Sequence, residues 1–169
     1  AIAHNGDINT LKGNKNWMKV HEQEMDSPLF NNMENLKPVI PAGSSDSAAL
    51  DSVFELLNIS GQPAPLAKLM LIPDAWSKKS KTLSKDHRQL FNFLNSTMEP
   101  WDGPAAIAGT DNEWVIAATD RNGLRPMRFT ITKDKILCAG SETGMVELDE
   151  KKIITKGRLG PGEIIGVRI

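Results

Sequence analysis

Hydrophobic residues in the first half of the chain recur at the three- and four-residue spacing of amphipathic helices. In the first of these stretches the spacing predicts that Trp17, Val20 and Met25 face the core. Polar residues that favour helix starts precede two of the others, and prolines or glycines follow two of them. The pattern predicts helices over 14–25, 48–57, 64–72 and 84–98, with an irregular connection over 26–44 and a solvated Lys/Ser loop over 77–82.

After Pro100 the pattern changes to short β-type runs separated by turn residues such as Arg121-Asn122-Gly123 and Gly160-Pro161-Gly162. The spacing of these runs predicts an antiparallel meander. Helices in the first half and strands in the second predict a single α+β domain over 1–169, with the helices packed on the sheet. The predicted strands are 105–109, 114–119, 127–132, 136–139, 153–154 and 164–167.

Composition narrows the classes of function. The 169 residues are 40% hydrophobic and 24% charged with a net charge of −1, which is typical of a globular domain. Neither a nucleic-acid partner nor a membrane partner is expected, because 20 basic and 21 acidic residues nearly balance and no apolar run approaches the length that spans a bilayer. The one cysteine, Cys138, is predicted to be a small buried hydrophobic residue in a cytoplasmic protein. The three histidines lack the spacing of metal ligands, so no metal site is expected.

Two short polar stretches are candidate sites. His4-Asn5-Gly6-Asp7 follows an apolar lead and is typical of a tight turn. Alternatively, the Asn5 side-chain amide and the Gly6 backbone N–H converge on a developing oxyanion. Ser45-Asp46-Ser47 begins a predicted helix, where a capping role is sufficient to explain Asp46. The alternative is that its carboxylate recognises an ammonium group, a role that is compatible with capping.

Two further stretches follow predicted strands. The run from Asp120 to Pro126 is a polar turn whose two arginines could fix a loop through charge-assisted hydrogen bonds. The run from Ser141 to Gly144 ends a strand.

Taken together, these stretches resemble the glutaminase domain of the glutamate synthase large subunit. The resemblance extends over the whole chain in the same order, with one mild departure at Asp7, where glutamate is commoner. It rests on AHNGDINTLKGN at 3–14, NWM at 16–18, SSDSA at 44–48, LIPDAW at 71–76, MEPWDGPA at 98–105, DRNGLRP at 120–126 and KGRL at 156–159.

The resemblance implies a class II glutamine amidotransferase with the N-terminal-nucleophile hydrolase fold, in which two antiparallel sheets lie between helical layers. It implies L-glutamine as substrate, Asn5 and Gly6 as the oxyanion hole, and Asp46 as the ligand of the substrate α-amino group. FMN and an iron–sulfur cluster are implied in other domains of the parent enzyme, as is an FMN synthase domain as partner. Structural or loop-ordering roles are expected for Trp101, Arg121, Arg125 and Glu142.

The family's nucleophile is an N-terminal cysteine, whereas this chain has Ala1 and a single Cys138 in the strand region. We therefore expect a partial sandwich, roughly the C-terminal half of the glutaminase domain, which is inactive alone and self-associates through exposed apolar faces. An alternative is a non-catalytic amino-acid-binding or interaction module of the same fold. An amidotransferase of purine or amino-sugar synthesis is disfavoured by the stretches at 71–76 and 98–105.

Overall fold

The computed structural model describes residues 1–28, 30–75 and 84–169, and the predicted Lys/Ser loop at 77–82 lies outside them. In the described ranges the α-helices end by residue 97 and all strands but the first follow them, which confirms the α+β class. The elements are β1 (Ile2–Gly6), α1 (Leu11–Glu24), α2 (Asp46–Ile59), α3 (Ala64–Leu71), α4 (Lys85–Thr97), β2 (Ala105–Thr110), β3 (Trp114–Thr119), β4 (Arg128–Thr132), β5 (Leu137–Gly140), β6 (Ile153–Arg158) and β7 (Ile164–Arg168). Short 3-10 turns lie at Met33–Leu36 and Glu150–Lys152.

The strands form two antiparallel sheets rather than the single meander that the spacing predicts. One sheet has the order β1-β2-β3-β7 and the other β5-β4-β6. The last strand returns to β3, with Trp114 opposite Arg168 and Ala118 opposite Ile164. The side chain of Thr119 helps to hold this return, because its hydroxyl donates to the carbonyl oxygen of Gly160 at 2.6 Å. Strand spacing gives the strand lengths but not the partner of each strand.

The main core lies between α2, α3 and one face of the four-stranded sheet. Leu50, Val53, Phe54 and Leu57 recur at helical spacing on α2 and are buried. They belong to one apolar cluster with the buried residues of β2 and β3. Burial of each such side chain contributes about 1.5–3 kcal/mol to folding. On the opposite face, a smaller cluster joins the two sheets, formed by Ala117, Met127 and Leu159.

The predicted inner face of α1 is wrong for Trp17 and Val20, whereas Met25, just after the helix, is partly buried against the core as predicted. Trp17 is 51% exposed and Val20 is 49% exposed, whereas Asn14 and Met18 are buried. The Asn14 side-chain amide donates to the carbonyl oxygen of Pro100 at 3.1 Å. The buried side of α1 thus includes a polar residue, Asn14, which a prediction based on apolar periodicity does not identify.

Two smaller expectations can be checked. Cys138 lies in β5 and is partly exposed, so the prediction that it is buried is wrong. None of the helices in the described ranges is long and apolar enough to span a bilayer.

Candidate functional site

The backbone N–H of Gly6 faces an open strand edge. β1 is an edge strand that pairs only with β2 in the described sheet, with Gly6 opposite Ala105. Both backbone groups of Ala105 are bound to Asp120 on the other side, at 2.9 Å and 3.1 Å. Along an antiparallel ladder, residues that are hydrogen-bonded to the partner strand alternate with residues that are not. Asp7 is of the first kind, because its N–H donates to Pro104 O just before β2, so Gly6 is of the second kind. Gly6 N–H therefore points away from β2.

Asn5 precedes this donor and is exposed. Its side-chain amide has no hydrogen-bond partner among the described residues. Successive side chains of a strand lie on opposite faces of the sheet, so Asn5 lies on the face opposite His4. Two polar donors, one from a side chain and one from the backbone, are thus left available at the end of β1.

The end of β1 is held by contacts between backbone atoms of residues 6–9 and 102–104. Asp7 N–H donates to Pro104 O at 3.0 Å, and Asn9 N–H donates to Asp102 O at 2.7 Å. Gly6 has a φ of +145°, and a Cβ added there would collide with the carbonyl oxygen of Pro104. Gly103 has a φ of +150°, and its Cβ would collide with the carbonyl oxygen of Asp7. Both glycines are therefore required for this close approach.

Asp46 is the first residue of α2, and it touches the same loop. Its Oδ2 accepts from the backbone N–H of Ile8 at 3.2 Å, and its Oδ1 accepts from Ser47 N–H at 2.8 Å. Burial raises the pKa of this carboxyl, but the hydrogen bonds from Ile8 and Ser47 outweigh it and keep the pKa below its usual value. The cap itself is Ser45, whose Oγ accepts from Ala48 N–H at 3.1 Å. Asp46 is therefore an ionised carboxylate that capping alone does not explain.

His4 connects the same two elements from the helix side of the sheet. Its side chain is 1% exposed, and its Nε2 lies 3.6 Å from Asp46 Oδ2. The hydroxyl oxygen of Ser47 lies 3.1 Å from the same nitrogen. The structure thus places Asp46 in contact with His4 and Ile8, two residues that flank the Asn5–Gly6 pair.

This site is an open edge. A groove of about 520 Å³ lies between α1 and residues 38–43, but none of the three predicted site residues lines it. Its wall includes Lys12, Lys15 and Lys19.

The loop 120–125 is closed by one carboxylate. Asp120 is 1% exposed, and its oxygens accept from the backbone N–H groups of Ala105, Asn122, Leu124 and Arg125, each at 3.0–3.1 Å. Burial raises the pKa of this carboxyl, and the four backbone donors more than reverse the effect, so that its pKa lies below the usual value. The sequence indicates a turn here, but it does not show that Asp120 holds the turn.

A fully buried lysine lies beneath this loop. Lys68 of α3 is 0% exposed, and its Nζ donates to the carbonyl oxygen of Gly162 at 2.9 Å. Burial lowers the pKa of Lys68 to about 7, against the opposing attraction of Asp120 and Asp74. The signal in the sequence is one lysine in an otherwise apolar helix, which does not by itself predict a buried charge.

The four remaining motif residues lie outside the open edge. Trp101 is buried, and its backbone N–H donates to the carbonyl oxygen of Leu71 at 2.7 Å. Arg121 reaches Pro73 O at 3.3 Å and Asp102 Oδ2 at 3.4 Å, which ties the 120–125 loop to the segment behind Gly6. Arg125 contributes a backbone N–H to Asp120, and Glu142 is exposed in the loop after β5.

Comparison with known proteins identifies the family of this chain. The sequence matches the family described as glutamine amidotransferases class-II over residues 1–169. It is 57% identical over 167 residues to the glutamate synthase [NADPH] large chain of Azospirillum brasilense, covering 98% of this chain and 11% of that protein. It is 41% identical to the corresponding chain of Bacillus subtilis, covering 97% and 11%, and 45% identical to glutamate synthase [NADH] of Saccharomyces cerevisiae, covering 96% and 8%.

Among solved structures, the chain is similar to a glutamine phosphoribosylpyrophosphate amidotransferase of B. subtilis complexed with ADP and GMP. The identity is 20% and the TM-score is 0.44, with coverage of 99% of this chain and 27% of that one. The chain spans about a tenth of the length of the curated glutamate synthase chains that it matches. The match over all 169 residues shows that this chain belongs to the class II glutamine amidotransferases.

Proposed function

We propose that these residues are part of a glutamate synthase and carry the substrate-binding side of its glutaminase site. In this proposal a thiolate attacks the side-chain amide carbon of L-glutamine. Ammonia leaves, and water then hydrolyses the glutamyl thioester to L-glutamate. The ammonia is used by other domains to aminate 2-oxoglutarate.

The observation that carries the proposal is the pair of free donors beside an ionised carboxylate. Attack on an amide places negative charge on its oxygen, and donors fixed in advance stabilise that charge most effectively. The Asn5 side chain and the Gly6 N–H are such donors, and the backbone contact behind Gly6 keeps its N–H in place. Asp46 accepts a hydrogen bond from the N–H of Ile8, two residues after Gly6, and is assigned to the α-ammonium group of glutamine.

The nucleophile in this scheme belongs to another part of the longer protein. The single thiol of these 169 residues is Cys138 in β5 of the three-stranded sheet, whereas Asn5 and Gly6 lie in the four-stranded one. The 169-residue chain alone is therefore expected to hydrolyse no glutamine. This assignment would be contradicted if the 169-residue chain hydrolysed glutamine and the Cys138→Ala substitution abolished that activity.

The cofactors implied by the resemblance are also assigned to other domains. One cysteine cannot supply the thiolates of an iron–sulfur cluster. No group of three or more metal-ligating side chains occurs among the described residues. These residues do not fit an iron–sulfur cluster, and the proposed hydrolysis of glutamine requires neither a cluster nor FMN.

The test is glutamine hydrolysis by the full-length protein. Asn5→Ala is expected to lower kcat by about 100- to 1,000-fold, the usual effect of removing one oxyanion donor. Asp46→Asn is expected to raise KM at least about tenfold, because the ammonium loses its counter-charge. Asn95→Ala and Asp86→Asn, at exposed positions of α4, are the matched controls. Unchanged kinetics in both site variants would refute the proposal and favour a non-catalytic binding module.

A further inference from the structure

A buried histidine that the proposed chemistry does not use lies directly beneath the site. The His4 side chain is 1% exposed and points from β1 toward the first turn of α2. Its Nε2 lies 3.1 Å from Ser47 Oγ and 3.6 Å from Asp46 Oδ2. The first distance is that of a hydrogen bond, and the second is within the range of an electrostatic contact.

The surroundings of the ring determine where its proton lies. Nδ1 of His4 is buried and has no hydrogen-bond partner among the described residues. A neutral imidazole carries one N–H, and both acceptors within reach face Nε2. The proton is therefore placed on Nε2, where it is donated to the Ser47 hydroxyl with the Asp46 carboxylate close by.

His4 is placed to control the distance between the Asp46 carboxylate and the Asn5–Gly6 pair. It immediately precedes Asn5 and Gly6, so its position is fixed to theirs by one and two peptide units. The residues of the proposed oxyanion hole are linked to α2 on both sides, by His4 before them and by the Ile8–Asp46 hydrogen bond after them. Loss of the His4 link leaves the first turn of α2 attached to these residues through Ile8, while Ile2 N–H at the start of β1 still donates to Asp51 Oδ1 further along the helix, at 2.7 Å.

We propose that His4 is a positioning residue that holds the Asp46 carboxylate at the spacing from Asn5 and Gly6 that one α-amino acid substrate requires. This inference rests on the proposed function, since it assumes that Asp46 binds the α-ammonium group. It assigns no contact with substrate to His4. The selectivity for an α-ammonium group is therefore set from beneath the sheet, through Ser47 and the start of α2.

The experiment measures inhibition of the full-length enzyme by two dicarboxylates. L-Glutamate carries the α-ammonium group, and glutarate lacks it. His4→Phe keeps a planar ring without a donor, and it is expected to weaken L-glutamate at least about tenfold and glutarate less than about twofold, as for a lost charge contact. His4→Gln restores an N–H near the Nε2 position, and L-glutamate should return to within about threefold of the unaltered protein.

The controls separate positioning from folding. Ser47→Ala removes the acceptor and should weaken L-glutamate selectively, with little further loss when it is combined with His4→Phe. His21→Phe removes a histidine paired with Glu99 at 2.7 Å on α1 and should change neither inhibition constant. If His4→Phe fails to fold, Ser47→Ala and His4→Gln decide the question.

Equal weakening of both inhibitors, or a glutamine variant no better than the phenylalanine variant, would show a structural role only and overturn the inference. The Asp46→Asn variant distinguishes a failure of the inference about His4 from a failure of the proposed function. If that variant loses the preference for L-glutamate while His4→Phe keeps it, only the inference about His4 fails. If Asp46→Asn keeps the preference, the proposed substrate site itself is refuted.

Discussion

Replacement of Lys68 by methionine should change how the stability of the chain depends on pH. Lys68 is fully buried, with one hydrogen bond to Gly162 and with Asp120 and Asp74 as its nearby opposite charges. Methionine has a similar length and no charge, so the substitution removes the titration while it largely preserves the packing. The lost hydrogen bond leaves the Gly162 carbonyl without its partner, which costs about 1–3 kcal/mol at any pH.

The magnitude follows from the pKa of Lys68, which burial lowers from 10.5 to about 7. A fall of about 3.5 units corresponds to roughly 5 kcal/mol. Between pH 7 and 10.5 the unfolded chain holds this proton and the folded chain does not, so the free energy of unfolding rises with pH across that window. Below pH 7 both states are protonated, and the folded state bears the full cost of the buried charge.

The assay is urea unfolding of the 169-residue chain, followed by the fluorescence of its four tryptophans from pH 6 to pH 10. The unaltered chain should gain up to about 1.4 kcal/mol per pH unit relative to Lys68→Met between pH 7 and 10. Lys152→Met, at a lysine that is 52% exposed, is the matched control and should run parallel to the unaltered chain. Parallel curves for Lys68→Met would refute the depressed pKa and the reasoning built on it.

Gly6→Ala should destabilise the chain by more than about 3 kcal/mol, because its Cβ meets a backbone carbonyl and its φ is +145°. Gly13→Ala, where a Cβ meets nothing within 4 Å inside α1, should instead stabilise it by about 0.5–1 kcal/mol; similar urea midpoints for the two would contradict the close approach. Asp120→Asn should cost about 2–4 kcal/mol, because one carbonyl oxygen cannot serve four backbone donors. Because the pKa of Asp120 lies below its usual value, the stability that this residue supplies is present near neutrality and lost as pH falls through its folded-state pKa; an Asp120→Asn chain equally sensitive to acid would refute this.

The elements of this fold are largely predictable from local pattern, but their partners are not. β2 and β3 lie close to the predicted ranges because alternation and turn residues are local signals. The return of β7 to β3 is a long-range choice that strand spacing does not encode. The inner face of α1 was mispredicted because its buried anchor is Asn14, and a polar anchor has no signature in a hydrophobic pattern.

The residues of the candidate site are likewise only partly predictable from local sequence. The sequence singles out Asn5, Gly6 and Asp46, and the structure places Asp46 against His4 and Ile8, which flank the Asn5–Gly6 pair; the assigned roles stay predictions. The contributions of His4 and Asp120 could not be predicted, because each depends on groups brought together by the sheet. A histidine before an Asn-Gly pair and an aspartate before a turn are individually unremarkable signals.

The contact between residues 6–9 and 102–104 also bears on how such a site tolerates inherited change. Its hydrogen bonds join main-chain atoms, such as Asn9 N–H and Asp102 O, which every substitution except proline at a donor position leaves in place. The substitutions it forbids are concentrated at two positions, Gly6 and Gly103. Exposed neighbours such as Asp7 can therefore diverge between descendants while the direction of the Gly6 N–H is preserved.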